Sequence, residues 1–159
     1  MKIQVLFVCL GNICRSPMAE AVFQNLVDEA GLTDIFQIDS AGTGAWHIGE
    51  PAHRGTRQVL KKQGITYNGR SRQVNDHDFA NTQTYIIAMD QSNIYNLHQQ
   101  FGPQAVDHPR LYRLLEFANQ ADIHDVPDPY YEGRFDYVYQ LVKEGCAGLL
   151  ATIRQEAGV

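Results

Sequence analysis

The sequence predicts an α/β fold, because short apolar runs alternate along the chain with stretches that have helical periodicity. The chain has 159 residues, of which 44% are hydrophobic and 19% are charged, and such a composition is typical of a globular domain with one core. It contains no repeat, no low-complexity segment and no apolar run long enough to cross a bilayer. We therefore expect residues 1–159 to form a single domain.

The predicted elements follow one another in an alternating order. Apolar runs predict strands at residues 5–9, 36–40, 84–89 and 111–115. Helical spacing of apolar residues predicts helices at 17–30, 52–63, 91–100 and 135–155. Ser16 is suited to cap the first helix, Pro17 to its first position and Gly31 to its end. Gly145 and Gly148 weaken the middle of the last helix.

Two long loops carry large aromatic side chains and therefore do not resemble flexible linkers. Trp46 stands among glycines in residues 41–52, and Tyr130 and Tyr131 follow prolines in residues 122–133. In open parallel sheets, ligands bind outside the carboxyl ends of the strands. Residues at three such ends are polar or nucleophilic: Cys9, Ser40 and Asp90. We interpret Asp90 as a helix cap.

Charge and cysteine content limit the classes of function. The net charge of −5 argues against nucleic acid as a partner, but a locally positive pocket can still bind a small anion. Three cysteines do not predict a disulfide framework, and no His or Cys has the spacing of a metal site. We expect no metal, no cofactor and a cytoplasmic protein. The apolar N-terminus is too short for a signal peptide.

The segment CLGNICRS, residues 9–16, has the features of an oxyanion cradle. A loop of this length between a strand and a helix can turn its N–H groups inward to surround an anion, and the helix dipole adds positive potential. Gly11 and Asn12 tolerate the left-handed backbone angles of such a loop. Arg15 holds two phosphate oxygens with one planar group. The expected phosphate-binding residues are Leu10, Gly11, Asn12, Ile13, Cys14, Arg15 and Ser16.

Cys9 lies at the base of this cradle and is the predicted nucleophile. Helix N-termini and neighbouring cations favour the thiolate form of cysteine, and Ser16 is placed to donate a hydrogen bond to the sulfur. Asp128 is the predicted general acid, which protonates the leaving group and later activates a water molecule. Trp46, Tyr130 and Tyr131 are the predicted walls of a pocket that accepts an aryl group.

These motifs closely resemble the low-molecular-weight protein tyrosine phosphatases. The resemblance is carried by CLGNICRSP, DSAGTGAW, SRQV, AMDQSN and VPDPYY, and it covers essentially the whole chain. It implies a flavodoxin-like sheet of four parallel strands with helices on both faces. It also implies a two-step, metal-free mechanism through a phosphocysteine, with phosphotyrosine proteins and small aryl phosphates as substrates.

The resemblance also implies roles for individual residues. Cys9, Arg15 and Asp128 match the nucleophile, the phosphate clamp and the general acid. Asn12, Ser16 and Ser40 match residues that support the loop, and Cys14 matches a cysteine that forms a reversible disulfide with the oxidised nucleophile. Tyr130 and Tyr131 match tyrosines that are phosphorylated in some members. Gly69 stands where many members have a histidine that joins the Asn–Ser network, so this network must be completed differently.

Other functions stay open at this point. The same loop occurs in protein arginine phosphatases, which tend to have threonine at the position of Ile13, and Ile13 favours an aryl substrate. Arsenate reductases need cysteines between Cys14 and Cys146 that this chain lacks. A non-catalytic oxyanion-binding module and a redox sensor based on Cys9 and Cys14 are further alternatives. We interpret Cys146 as a core residue and the six histidines as surface or structural, and we expect a monomer or weak homodimer.

Overall fold

A parallel sheet forms the centre of the protein, for which a computed structural model describes residues 2–119 and 122–159. Its strands are β1 (Ile3–Cys9), β2 (Phe36–Gly42), β3 (Tyr85–Ala88) and β4 (Leu111–Arg113). The order is β2-β1-β3-β4, and each neighbouring pair is parallel. This order is that of the flavodoxin-like doubly wound folds. The predicted α/β fold is thereby confirmed.

Helices connect these strands. They are α1 (Arg15–Glu29), α2 (Arg54–Lys62), α3 (Gln91–Phe101), α4 (Pro103–Val106), α5 (Pro129–Glu132) and α6 (Phe135–Ala157). Two 3-10 turns cover Asp76–Phe79 and Leu114–Phe117. Within the described part of the chain, no helix has the length and apolar character that a membrane span requires.

The sheet is covered on both faces because successive side chains of a strand point to opposite sides. On β1, Val5 and Phe7 pack into a large core with residues of α1, α2 and α6. Leu6 and Val8 point to the other face and form a smaller core with residues of α3 and α4. Such strands must be apolar at every position, which explains the continuous run VLFV at residues 5–8.

The start of α1 differs from the prediction. The helix begins at Arg15, two residues before Pro17, and Ser16 is not its cap. The Ser16 hydroxyl instead lies 3.0 Å from the Cys9 sulfur. Gly31 follows the helix end with φ +73°, as expected of the residue that stops it. The fourth strand is also shorter than predicted, because the chain turns into a 3-10 segment after Arg113.

The two glycines predicted to weaken α6 have a packing role. An added Cβ at Gly148 would lie 1.8 Å from the carbonyl oxygen of Phe117, and one at Gly145 would lie 2.5 Å from Leu114 Cγ. The helix continues through both positions to Ala157. Glycine at these two positions lowers the helix propensity, but it allows close contact between α6 and the segment after β4.

The sheet order fixes the position of the site. The chain leaves β1 toward β2 on one side, while β3 lies on the other side of β1. Strand order reverses between β1 and β3, and ligands bind at such switch points at the carboxyl ends of the strands. Cys9 ends β1, and Asp90 follows β3. The fold thus places both residues at one crevice.

Candidate active site

The carbonyl oxygens of the loop after β1 bond outward, to the rest of the protein. Five of them accept hydrogen bonds: Cys9 from Thr43 N–H (3.0 Å), Leu10 from Gly44 N–H (2.9 Å), Gly11 from the Ser71 hydroxyl (3.1 Å), Ile13 from His53 N–H (2.7 Å) and Cys14 from the Thr56 hydroxyl (3.0 Å). No hydrogen bond among the described residues uses the N–H groups of Gly11, Ile13 or Cys14. These donors are the ones that an anion needs.

Asn12 gives the loop its turn. Its φ of +57° lies in the left-handed region, which asparagine tolerates better than most residues. Its side-chain amide donates to Ser16 Oγ at 2.7 Å and to Ser40 Oγ at 3.0 Å, and its Oδ1 accepts from the N–H of Arg72 at 3.0 Å. All three polar side chains are buried behind the loop. Asn12, Ser16 and Ser40 therefore form the predicted group.

The Cys9 sulfur lies at the end of β1 with two polar neighbours. Ser16 Oγ is 3.0 Å away, and the N–H of Asn12 donates to the sulfur at 3.3 Å. Only 3% of the residue is exposed, and the exposed part faces the cavity described below. Hydrogen bonds to a sulfur favour its charged form. The residue belongs to the core that covers β1, but its sulfur has two hydrogen-bond partners and lines the cavity.

Arg15 is buried at the start of α1 and has two fixed partners. Its Nη1 donates to Asp90 Oδ2 at 2.5 Å and to the carbonyl of Val126 at 2.9 Å. Its Nη2 lies 3.5 Å from Asp128 Oδ2. Burial alone lowers the pKa of Arg15, but the negative potential of Cys9, Asp90 and Asp128 outweighs it and raises that pKa. The guanidinium group is thus held charged and in one orientation.

Asp128 lies across the cavity, at the start of α5. One carboxylate oxygen accepts a hydrogen bond from the N–H of Tyr130 at 3.0 Å, and the other is the oxygen near Arg15. About a quarter of the side chain is exposed. Asp128, which lies in a turn between two prolines, therefore also presents a carboxylate oxygen to the cavity. A proton donor requires such a position.

A cavity of about 350 Å³ joins these groups. Its lining consists of Cys9, Leu10, Gly11, Ile13, Cys14, Arg15, Trp46, His47, Asp128, Tyr130 and Tyr131. Trp46 is 71% exposed and Tyr131 is 75% exposed, so that both stand at the rim. The structure brings together every predicted nucleophile, clamp, acid and wall residue.

Several residues of the site were missed or understood only in part. His47 lines the cavity, and its Nδ1 lies 3.0 Å from Glu50 Oε2. Asp90 caps α3 as predicted, with its Oδ1 accepting from the N–H of Asn93, but its other oxygen orients Arg15. The Val126 carbonyl had no signal in the sequence. Asp90 had one, since it follows a strand at the carboxyl edge of the sheet.

The remaining cysteines differ from Cys9. Burial raises the pKa of Cys14 to about 12, with smaller contributions from the charges of Cys9 and Asp128. Cys146 is buried in α6, as predicted, and its burial raises its pKa. All three cysteines are free thiols. In residues 2–119 and 122–159, no group of three or more His, Cys, Asp or Glu side chains has a geometry that could hold a metal ion.

The Cys9 sulfur lies beneath backbone N–H donors, with the fixed guanidinium group of Arg15 beside it. This arrangement is that of the cysteine-dependent phosphatases. The family model of the low molecular weight phosphotyrosine protein phosphatases matches residues 4–158. The chain belongs to this family, whose members are cysteine-based protein-tyrosine-phosphatases. The resemblance inferred from the motifs is confirmed.

Individual relatives agree with this assignment. The low molecular weight protein-tyrosine-phosphatase YfkJ of Bacillus subtilis is 50% identical over 97% of both chains, and its crystal structure superposes with a TM-score of 0.91 at 98% and 97% coverage. PtpA of Staphylococcus epidermidis is 45% identical over 99% of this chain and 97% of its own length. The structure of a Drosophila arginine phosphatase is 33% identical, with a TM-score of 0.83 over 97% and 98% of the chains.

Proposed function

We propose that this phosphatase hydrolyses phosphotyrosine in proteins, with Cys9 as nucleophile, Arg15 as phosphate clamp and Asp128 as general acid and base. The observation that carries the proposal is the convergence of these three side chains on one cavity, with Asp128 Oδ2 3.5 Å from Arg15 Nη2. A phosphoryl group bound by the loop amides and Arg15 has the Cys9 sulfur directly beneath it. This arrangement favours in-line attack on phosphorus.

In the first step, the Cys9 thiolate forms a bond to phosphorus while the bond from phosphorus to the tyrosine oxygen breaks. The electron pair of the broken bond stays on the phenolic oxygen, and protonated Asp128 supplies its proton. The loop N–H groups and Arg15 stabilise the charge on the equatorial oxygens. The products are a phosphocysteine and a free tyrosine side chain.

In the second step, a water molecule attacks the phosphocysteine. The Asp128 carboxylate accepts a proton from this water, the sulfur–phosphorus bond breaks, and the electron pair returns to Cys9 as a thiolate. Inorganic phosphate leaves. Both steps use the same donors, so the loop need not change shape between them.

The walls of the cavity support an aryl substrate. Ile13, Trp46 and Tyr131 present apolar or aromatic surface beside the phosphate loop, and aromatic rings pack favourably against such surface. A phosphoarginine substrate would present a charged guanidinium group to the same walls. The arginine phosphatase among the relatives makes this the second candidate.

The finer statements on partners and compartment are also proposals. Three free cysteines accord with a reducing compartment, and we propose the cytoplasm. We propose that the substrate is a phosphotyrosine protein rather than a nucleic acid, in agreement with the net charge of −5. A monomer or weak homodimer stays a prediction, which sedimentation at several concentrations would test.

Steady-state hydrolysis of phosphotyrosine, phosphoarginine and phosphoserine peptides in EDTA tests the proposal. We expect selective turnover of phosphotyrosine, fastest in mild acid. A preference for phosphoarginine would contradict the assigned substrate. Tight binding of phosphate without turnover of any peptide would contradict the catalytic roles and indicate a binding module.

A further inference from the structure

The hydrogen-bond network behind the loop extends beyond the residues that the family resemblance names. The Ser40 hydroxyl donates to Glu20 Oε1 at 2.6 Å, and the Tyr67 hydroxyl donates to the same oxygen at 2.9 Å. Glu20 lies on α1, and Tyr67 lies in the segment before the SRQV motif. A continuous chain of contacts therefore connects Tyr67 through Glu20, Ser40, Asn12 and Ser16 to the Cys9 sulfur.

The direction of each bond in this chain follows from the number of hydrogens available. Glu20 as a carboxylate only accepts, so the single hydrogen of Ser40 points toward Glu20. Ser40 then accepts from one N–H of Asn12, whose other N–H goes to Ser16. Ser16 is an acceptor in that bond, which leaves its own hydrogen for the Cys9 sulfur 3.0 Å away.

This directionality depends on Glu20 being ionised. Burial raises the pKa of Glu20 above its usual value, and the hydrogen bonds from Ser40 and Tyr67 oppose this shift without cancelling it. Two charged groups also act on this carboxyl group: Asp39 on β2 raises its pKa and Arg72 lowers it. A proton on Glu20 Oε1, the oxygen that both hydroxyls contact, would turn this oxygen from an acceptor into a donor toward Ser40. The hydrogen of Ser40 would then lose its acceptor, and the fixed direction of the bonds to Asn12 and Ser16 would be lost.

Gly69 makes the contact of Tyr67 with Glu20 sterically possible. A Cβ at position 69 would lie 2.2 Å from Tyr67 Oη and 2.5 Å from Tyr67 Cζ. Any side chain there would displace the tyrosine ring from its place beside Glu20. Gly69, which stands in place of the expected histidine, thus leaves room for Tyr67 two residues earlier. We refer to Tyr67 and Gly69 as the matched pair.

We propose that Tyr67 is a positioning residue of the catalytic loop, which keeps Glu20 an acceptor and thereby directs the Ser16 hydroxyl to the Cys9 sulfur. It completes the network that lacks the histidine. The proposal rests on the nucleophilic role proposed for Cys9. Tyr67 itself does not line the substrate cavity, so its effect must pass through the chain of hydrogen bonds.

The test is Tyr67→Phe, which removes only the hydroxyl, with Tyr85→Phe as the matched control. Tyr85 also donates a hydrogen bond to a glutamate, Glu156, at 2.8 Å, but it lies at the amino end of β3, opposite the carboxyl ends of the strands where the site is. We expect kcat for an aryl phosphate to fall roughly tenfold in Tyr67→Phe, a size typical of a lost hydrogen bond to a charged group. Tyr85→Phe should retain the wild-type kcat.

Two further readouts separate positioning from a general loss of stability. The ratio of kcat in Tyr67→Phe to kcat in the wild type should fall as the pH falls, because Glu20 without its donor becomes protonated more readily. Alkylation of Cys9 by iodoacetate at a fixed neutral pH should be slower in Tyr67→Phe than in the wild type or in Tyr85→Phe. This second readout needs no turnover, so it tests Tyr67 even where the proposed phosphatase reaction fails.

Gly69→Ala tests the matched pair. We expect it to reproduce the loss of kcat seen in Tyr67→Phe, and the double variant to lose little more, because both changes break one hydrogen bond. Wild-type alkylation and a pH-independent kcat ratio in Tyr67→Phe would overturn the proposal. Equal losses of kcat in Tyr67→Phe and Tyr85→Phe, in proportion to lowered thermal midpoints, would overturn it as well.

Discussion

The two loops that form the site are held in very different ways. Most of the loop after β1 is buried, and five carbonyl groups of residues 9–14 bond to distant parts of the chain. The loop before α6 is anchored at Val126, which bonds to Met89 and Arg15, but Tyr130 and Tyr131 stand exposed at its tip. In the proposed mechanism, the first loop binds the phosphoryl group that every substrate shares, and the second loop contacts the part of the substrate that varies.

This contrast predicts that substitutions in the first loop abolish the reaction, whereas substitutions in the second loop weaken it by smaller factors. Cys9→Ser should lower kcat by about 10⁴-fold or more, as removal of a nucleophile typically does, while phosphate still binds because the amides and Arg15 remain. Cys146→Ala, which changes a buried thiol outside the cavity, is the control. Turnover in Cys9→Ser near that of the control would disprove the mechanism.

Oxidation of the cysteines in the first loop should inactivate the enzyme reversibly. Peroxide converts the Cys9 thiolate to a sulfenic acid, and the Cys14 thiol then displaces water to form a disulfide. The pKa of Cys14, raised to about 12, keeps this residue a protonated thiol at neutral pH, so the first oxidation should occur at Cys9. Peptide mapping should find a Cys9–Cys14 disulfide that thiols reverse, and a map with both residues unoxidised after inactivation would refute this.

The second loop contributes a graded effect through Asp128. Asp128→Asn keeps the oxygen that accepts from Tyr130, but it removes the proton donor. We expect kcat for phenyl esters to fall by about 10²–10⁴-fold, with the smallest loss for substrates whose leaving groups need no proton. Asp125→Asn, an exposed carboxylate in the same loop, is the control. An equal loss for all leaving groups would contradict the acid role.

Substitutions at the rim of the cavity should have the smallest effect on turnover. Tyr131 is 75% exposed, and its removal takes away apolar contact with the aryl group without touching the phosphate loop. We expect Tyr131→Ala to raise KM by roughly tenfold, the size of about 1.4 kcal/mol of ring contact, with kcat nearly unchanged. A fall in kcat at constant KM would assign Tyr131 to the chemistry instead and remove the contrast between the two loops.

The sequence predicted what depends on local pattern. The strand before Cys9, the loop after it and the turn that carries Asp128 were readable because apolar runs, glycine and proline have local structural meaning. The roles of Glu20 and Tyr67 were not readable, since they depend on α1, β2 and a distant segment meeting behind the loop. For Ser16, the predicted hydrogen bond to Cys9 agrees with the 3.0 Å contact, whereas the predicted helix cap was wrong, because the same residue type serves both purposes.

The outward bonds of the five loop carbonyls have a consequence for the cell. Because protein groups make these bonds, the shape that accepts a tetrahedral anion is set during folding and not by the substrate. In the proposed mechanism, the loop then binds inorganic phosphate, the product, with the same donors that bind the phosphoryl group of a substrate. The rate of dephosphorylation should therefore decline as free phosphate accumulates.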